Sequence, residues 1–115
     1  MKEEKFKVIE FIRELIVTVD NELENFPKKD IELKNRIRNN SYDILETAYY
    51  ANNISDDIKK VEALEQAIAK IKVLDFLLNL CYDKKIINSK KYFKFGEKID
   101  SIIKYLIGWR KSITY

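Results

Sequence analysis

The chain has 115 residues, a net charge of +3 and a globular composition, with 46% hydrophobic and 36% charged residues. This length is typical of one domain, and we expect residues 1–115 to form a single one. The composition argues against disorder, and no apolar run approaches the roughly 18 residues of a membrane span. The charged N-terminal residues do not resemble a signal peptide, and the lone Cys81 excludes an internal disulfide. We therefore expect a cytoplasmic protein that does not enter a membrane.

The first two predicted helices span about residues 3 to 24 and 31 to 51. Asn25-Phe26-Pro27 ends the first, because the residue before a proline avoids the α region. Asp30 is the predicted N-cap of the second, and Asn52-Asn53 is its predicted end. Apolar residues recur at spacings of three and four, the pattern of a bundle helix. The two stripes are Ile9, Ile12, Ile16, Val19, Leu23 and Phe26, then Leu33, Ile37, Ile44, Ala48 and Ala51, the second interrupted by Asn40 and Thr47.

The third predicted helix begins after Ser55, its predicted N-cap, and ends near Asp83. The fourth begins after Asn88-Ser89 and has the clearest helical periodicity in the chain. Their apolar positions are Val61, Leu64, Ala67, Ile68, Ile71, Leu74, Leu78 and Cys81, then Tyr92, Phe95, Ile99, Ile102, Leu106, Trp109 and Ile113.

Only two glycines and one proline occur, which favours a few long helices over strands with frequent turns. The short predicted loops require consecutive helices to run antiparallel. The sequence therefore predicts an all-α fold, an antiparallel up-down-up-down four-helix bundle.

Three of the helices carry apolar residues outside these stripes, where a bundle helix is normally polar. On the first helix they are Val8, Phe11 and Leu15. On the second and third they are Tyr42, Leu45 and Tyr49, then Val73, Phe76 and Leu80. Exposed apolar patches usually mark partner surfaces, so we predict that the last six form an interface in a homo-oligomer. A wide core or scattered surface aromatics are the alternatives.

Charge is distributed unevenly along the chain. Residues 1–26 contain four basic and seven acidic residues, net −3, whereas residues 84–115 contain nine basic and two acidic residues, net +7. The basic set predicted to contact nucleic-acid phosphates, with Tyr92, Phe93 and Phe95 interleaved, is Lys84, Lys85, Lys90, Lys91, Lys94 and Lys98. The residues of a second basic cluster are Arg36, Arg38, Lys28, Lys29 and Lys34. The alternative is a solvated basic helix beside the acidic first helix.

The residue types required for most catalytic sites are missing. The chain has no histidine and no phosphate-binding glycine loop, and Cys81 lies on a predicted core face without a base. We therefore expect no enzyme activity, no metal and no cofactor. Asp75 interrupts the apolar seam of the third helix, so its charge must be paired, with Arg36 or Arg38 as the expected partner, or remain partly solvated.

Over residues 6–112 the chain resembles a known family, the accessory variability determinant proteins of diversity-generating retroelements. That family is related to the four-helix bundle proteins encoded in ribosomal-RNA intervening sequences. The residues that carry the resemblance are Phe26-Pro27-Lys28, Leu33, Ile37-Arg38, Ala51-Asn52-Asn53, the leucine-rich third helix and Gly108-Trp109. Where family members often have basic residues late in the third helix, this chain has Asn79 and Tyr82.

The resemblance implies a four-helix bundle that assembles into a barrel-shaped homopentamer. It also implies a non-catalytic partner of an error-prone reverse transcriptase, one that binds RNA or DNA and supports mutagenic retrohoming. The alternative function is a stand-alone, self-assembling structural bundle without a role in nucleic-acid binding.

Overall fold

The computed structural model describes residues 2–113, with side chains from residue 7 onward. Four α-helices follow one another: α1 (Lys2–Leu23), α2 (Ile31–Asn53), α3 (Asp57–Asp83) and α4 (Ser89–Lys111). A 3-10 turn, Lys28–Asp30, precedes α2. No strand occurs within residues 2–113, so the predicted all-α class is confirmed for that part of the chain.

Each helix packs against two others, in the order α1, α2, α3, α4 and back to α1. Neighbouring helices run antiparallel. Lys91 at the start of α4 pairs with Glu22 at the end of α1, and Tyr105 further along α4 contacts Phe11 nearer the start of α1. The backbones of the diagonal pairs α1–α3 and α2–α4 do not approach each other closely within the described residues. This arrangement is compatible with the predicted four-helix bundle.

The predicted stripes of all four helices meet in one core, except for Val61 at the start of α3, which is partly exposed and is not part of the core cluster. Ile37, Ile71, Ile102 and Leu106 are fully buried, and Trp109 is only 4% exposed. The stripe residues near the helix ends are half-buried and pack against the core, namely Phe26, Leu33, Tyr92 and Ile113. The a/d spacing therefore identified the core correctly.

The second apolar face predicted for α1 is wrong. Val8 and Leu15 are fully buried in the core, and Phe11 is half-buried against the Tyr105 ring with centroids 5.4 Å apart. The physical reason is that Val8 lies four residues from Ile12, and Leu15 lies three from Ile12 and four from Val19, so all four side chains share one buried face.

The polar residues that interrupt the α2 stripe are buried and face α3. Asn40 donates from Nδ2 to the Lys70 carbonyl at 3.3 Å, and Lys70 Nζ donates to Thr47 Oγ1 at 2.7 Å. These bonds link α2 to α3, but they leave Oδ1 of Asn40 buried without a hydrogen-bond partner among the described residues.

Three helix-end predictions need correction. The N-cap of α3 is Asp56, not Ser55, because the Asp56 carboxylate accepts a hydrogen bond from the Lys59 amide at 3.1 Å. Asp30 occupies the N-cap position of α2 without forming a side-chain cap. Asn53 ends α2 without the left-handed conformation that asparagine tolerates, since the next residue, Ile54, is extended.

The ion pair predicted for Asp75 is also wrong. Arg38 pairs with Asp20 of α1 at 3.7 Å, and no cation lies within 4.0 Å of Asp75 among the residues described. The carboxyl of Asp75 is close enough to Asp100 of α4 to be repelled by it. Burial first, and then Asp100, raise the pKa of Asp75 above its ordinary value.

Candidate nucleic-acid interface

The predicted phosphate-contacting lysines lie in one stretch, residues 84–98, which we call the basic segment. It contains six lysines and one acid, Glu97, a net charge of +5. The segment includes the loop after α3 and the first half of α4, and all six lysines are exposed. The Asn88 side chain fixes the start of α4, because it accepts a hydrogen bond from the Lys91 amide at 2.8 Å.

Two of the six lysines are already paired with acids from other parts of the chain. Lys84 Nζ lies 3.2 Å from Asp30, and Lys91 Nζ lies 3.1 Å from Glu22 of α1. The Lys91–Glu22 pair thus agrees with the alternative interpretation, in which the basic fourth helix lies beside the acidic first helix. Spacing along the sequence gave no indication of either pair, because the acids come from residues more than 50 positions away.

The other four lysines have no ion pair within the described part of the chain. They are Lys85, Lys90, Lys94 and Lys98. Lys98 lies nearest to α1, in a narrow groove that Phe11 and Glu14 also line. Lys90 and Lys94 lie one turn apart on α4, so their charges are presented together to the solvent.

Lys85 has an unusual backbone conformation. Its φ is 63°, the only positive φ at a non-glycine residue in the part of the chain that the structure describes. The Ile86 amide donates to the Cys81 carbonyl at 2.8 Å, and the Lys85 amide donates to the Tyr82 carbonyl at 3.0 Å. These two bonds form a Schellman motif, in which glycine normally occupies the left-handed position. Lysine there costs stability, and the sequence analysis did not detect it.

The second basic cluster is divided between α2 and the 3-10 turn that precedes it. Arg36 lines a groove between α2 and α3, and Arg38 pairs with an acid of α1. Lys28 and Lys29 belong to the turn whose last residue, Asp30, pairs with Lys84 of the basic segment. The turn is therefore the part of the second cluster that approaches the basic segment.

The interleaved aromatic residues differ in their surroundings. Phe95 is buried, whereas Phe93 is 71% exposed, the most exposed of the large apolar side chains described. Tyr92 stacks on Tyr82 of α3, with ring centroids 5.3 Å apart and planes 10° from parallel. Asn79 donates a hydrogen bond to the Tyr92 hydroxyl at 2.8 Å. The positions at which the chain departs from the resembling family, Asn79 and Tyr82, thus contact the start of α4.

The six residues of the predicted oligomer interface lie on α2 and α3 and differ in exposure. Tyr42 and Tyr49 are exposed on α2, and Tyr49 lines a groove between α1 and α2 together with Val17. Val73 and Phe76 are exposed on α3, and Val73 lines the different groove between α2 and α3. The remaining two, Leu45 and Leu80, are half-buried against the core.

The described residues contain few groups suited to chemistry. Cys81 is buried, and burial, followed by the charge of Asp30, raises the pKa of its thiol to about 11, with Lys84 opposing. A thiol with this pKa stays protonated at neutral pH, which supports the predicted packing role. No three acidic or cysteine side chains lie close enough together to hold a metal ion within the described residues. No helix there has the length and apolar character that a membrane span requires.

Comparisons with other proteins leave the family unassigned. No protein-family model, curated protein or solved structure matches the chain.

Proposed function

We propose that this is a non-catalytic protein that binds RNA or DNA through the basic segment, with little sequence preference. The observation that carries the proposal is the group of four exposed lysines without an ion pair, Lys85, Lys90, Lys94 and Lys98, in a stretch that contains one acid. Because the acid side chains that neutralise Lys84 and Lys91 do not reach these four, their charge remains available to an anionic partner.

The chemistry of lysine explains the lack of sequence preference. An ammonium group contacts phosphate oxygens and positions the strand, but base edges must be contacted for sequence to be distinguished. Lys90, Lys94 and Lys98 are spaced four residues apart, so they extend over about 12 Å of α4. A strand that follows this row contacts several phosphates in succession.

The resemblance supplies a more specific form of the proposal. In it the protein is an accessory subunit of a diversity-generating retroelement that binds a reverse transcriptase and supports mutagenic retrohoming. A reverse transcriptase gene and an imperfect repeat pair beside this gene would support that form. Failure of the encoded reverse transcriptase to co-purify with the protein would contradict it.

The proposal includes a homopentamer. Exposed apolar side chains lie on two neighbouring helices, Tyr42 and Tyr49 on α2 and Val73 and Phe76 on α3. When the α2 set of one protomer contacts the α3 set of the next, the contact is heterologous, and it closes into a ring when five such rotations complete a full turn. A ring repeats the basic segment once per protomer, so weak phosphate contacts combine into stronger binding.

The test is charge reversal. The triple variant Lys90→Glu, Lys94→Glu and Lys98→Glu is expected to abolish binding to a labelled oligonucleotide in an anisotropy assay. It is also expected to keep the helical circular dichroism of the parent, because all three side chains are exposed. The matched control reverses three exposed lysines elsewhere, Lys7, Lys59 and Lys72, and changes net charge equally. Equal loss of binding in both triple variants would show that only net charge matters.

A structural role without nucleic-acid binding is the second candidate. It is favoured by the ion pairs of Lys84 and Lys91, which show that part of the basic charge holds the helices together. A parent protein that assembles but does not bind the oligonucleotide at low salt would support this candidate.

A further inference from the structure

The most exposed large apolar side chain lies inside the basic segment. Phe93 is 71% exposed on α4, three residues after Lys90 and directly before Lys94. Residues three apart on a helix are neighbours, so the exposed ring lies beside Lys90. Lys94 is one turn after Lys90 and follows Phe93 directly, and neither lysine has an ion pair among the described side chains. Burial in the core does not explain a phenylalanine at this position.

The residue one turn after Phe93 leaves its ring uncovered. Helical side chains point toward the N-terminus, so side chains at positions 96 and 97 would extend toward Phe93. Position 97 holds Glu97, which is exposed and polar, so an apolar cover could come only from position 96. That position is Gly96, and a Cβ added there meets no atom within 4 Å. Close packing therefore does not require the glycine. In a helix interior it costs about 0.5–1 kcal/mol relative to alanine.

Other aromatic rings lie next to this surface. Tyr92, which precedes Phe93, stacks on Tyr82, and Tyr82 is itself exposed. Lys85 is close along the chain to Tyr82, in the strained left-handed conformation. Residues 82 to 96 therefore contain exposed rings and lysines without ion pairs. They also contain two residues that lower stability, Lys85 and Gly96.

We propose that Phe93 is a stacking surface for an unpaired base, with Lys90 and Lys94 contacting the flanking phosphates, so that the ligand is single-stranded nucleic acid. This inference rests on the proposed function and specifies its ligand. The faces of bases in a duplex are covered by their neighbours, whereas an unpaired base stacks on an aromatic ring whatever its identity. The adjoining positive charges favour a polyanion over an apolar protein partner.

The test compares a single strand with a duplex of the same sequence by fluorescence anisotropy. Phe93→Ala is expected to weaken single-strand binding about 5- to 150-fold, the range for losing one stacked base. Duplex binding, which depends on the lysines, is expected to stay unchanged. Tyr50→Ala is the matched control, because Tyr50 is half-exposed on α2, outside the basic segment, and its removal should change neither affinity.

Two further variants separate stacking from general loss of apolar surface. Gly96→Leu keeps Phe93 but covers its ring, so it is expected to weaken single-strand binding while the helix becomes more stable. Phe93→Trp keeps an aromatic ring and is expected to bind the single strand as the parent does. Its exposed tryptophan emission should be quenched by the single strand and not by the duplex, whereas the buried Trp109 should not respond.

The outcomes distinguish this inference from the function on which it rests. Loss of single-strand binding alone in Phe93→Ala supports stacking. If Phe93→Ala binds both ligands as the parent does while the lysine triple variant binds neither, stacking is refuted and phosphate binding stands. Equal weakening of both ligands also refutes stacking. A parent that binds neither ligand refutes both proposals.

Discussion

Replacing Lys85 by glycine should change stability and nucleic-acid binding in opposite directions. The left-handed conformation costs an ordinary L-residue roughly 1–2 kcal/mol, and glycine avoids this cost. Part of the gain is lost because glycine loses more conformational entropy on folding. We therefore expect Lys85→Gly to raise the free energy of unfolding by about 0.5–1 kcal/mol. With an unfolding entropy of about 240 cal/mol/K for a chain of this length, the midpoint should rise by about 2–4 °C.

Lys85→Gly should weaken nucleic-acid binding, because it removes one of the four lysines that have no ion pair within the described residues. Each phosphate contact on a single strand contributes about 0.7 to the slope of log affinity against log salt, so the slope should fall by that amount. Thermal denaturation by circular dichroism at fixed protein concentration gives the stability, and anisotropy over a salt series gives the slope.

The matched control is Lys85→Ala, which removes the charge but keeps a Cβ in the left-handed conformation. It should lower the slope as much as Lys85→Gly does, without the gain in stability. If the two variants are equally stable, the backbone cost at position 85 has been misjudged. If neither variant changes the slope, Lys85 does not contact phosphate.

Four other substitutions test the packing and assembly. Gly96→Ala should stabilise the protein by about 1 kcal/mol in urea denaturation, since its methyl group meets nothing within 4 Å, and destabilisation would refute this. Trp109→Ala should cost about 3–5 kcal/mol, and a loss below about 1 would contradict its role in the core. Because the pKa of Asp75 is raised on folding, its contribution to stability falls as pH rises above the ordinary aspartate value, so Asp75→Asn should stabilise at pH 7. This gain in stability should shrink toward about pH 4, and a gain that does not change with pH would contradict the raised pKa of Asp75. Phe76→Glu should yield smaller species by light scattering, whereas Ile58→Glu, at another exposed apolar position, should not; a monomeric parent would contradict the assembly.

The elements and core of this protein are predictable because they depend on local spacing. The three-and-four recurrence that includes Ile37, Ile71 and Ile102 requires no knowledge of neighbouring helices, and all three are buried. Val8 and Leu15 also lie three or four residues from Ile12, so the same spacing places them beside the stripe, and their assignment to a second face is wrong.

The properties of the candidate site depend on distances between helices, which the sequence does not provide. Lys84 and Lys91 resemble the other four lysines in sequence, yet each lies within 3.2 Å of an acid from another segment. Asp75 was expected to pair with an arginine, but its position on α3 brings it near Asp100 instead. The lack of glycine between α3 and α4 was the available signal that Lys85 adopts the left-handed conformation.

The salt dependence of binding tests the central claim most directly. With four lysines contacting the phosphates of a single strand, affinity should fall about 50-fold between about 50 and 200 mM salt for each basic segment engaged. If all six lysines contributed, the decrease would be on the order of 300-fold for a single strand and 10³-fold or more for a duplex. A linear plot of log affinity against log salt, with a slope near −3 per segment, is the result we predict for a labelled single strand. A slope near zero, or no binding at about 50 mM salt, would contradict the proposal that the basic segment binds nucleic acid.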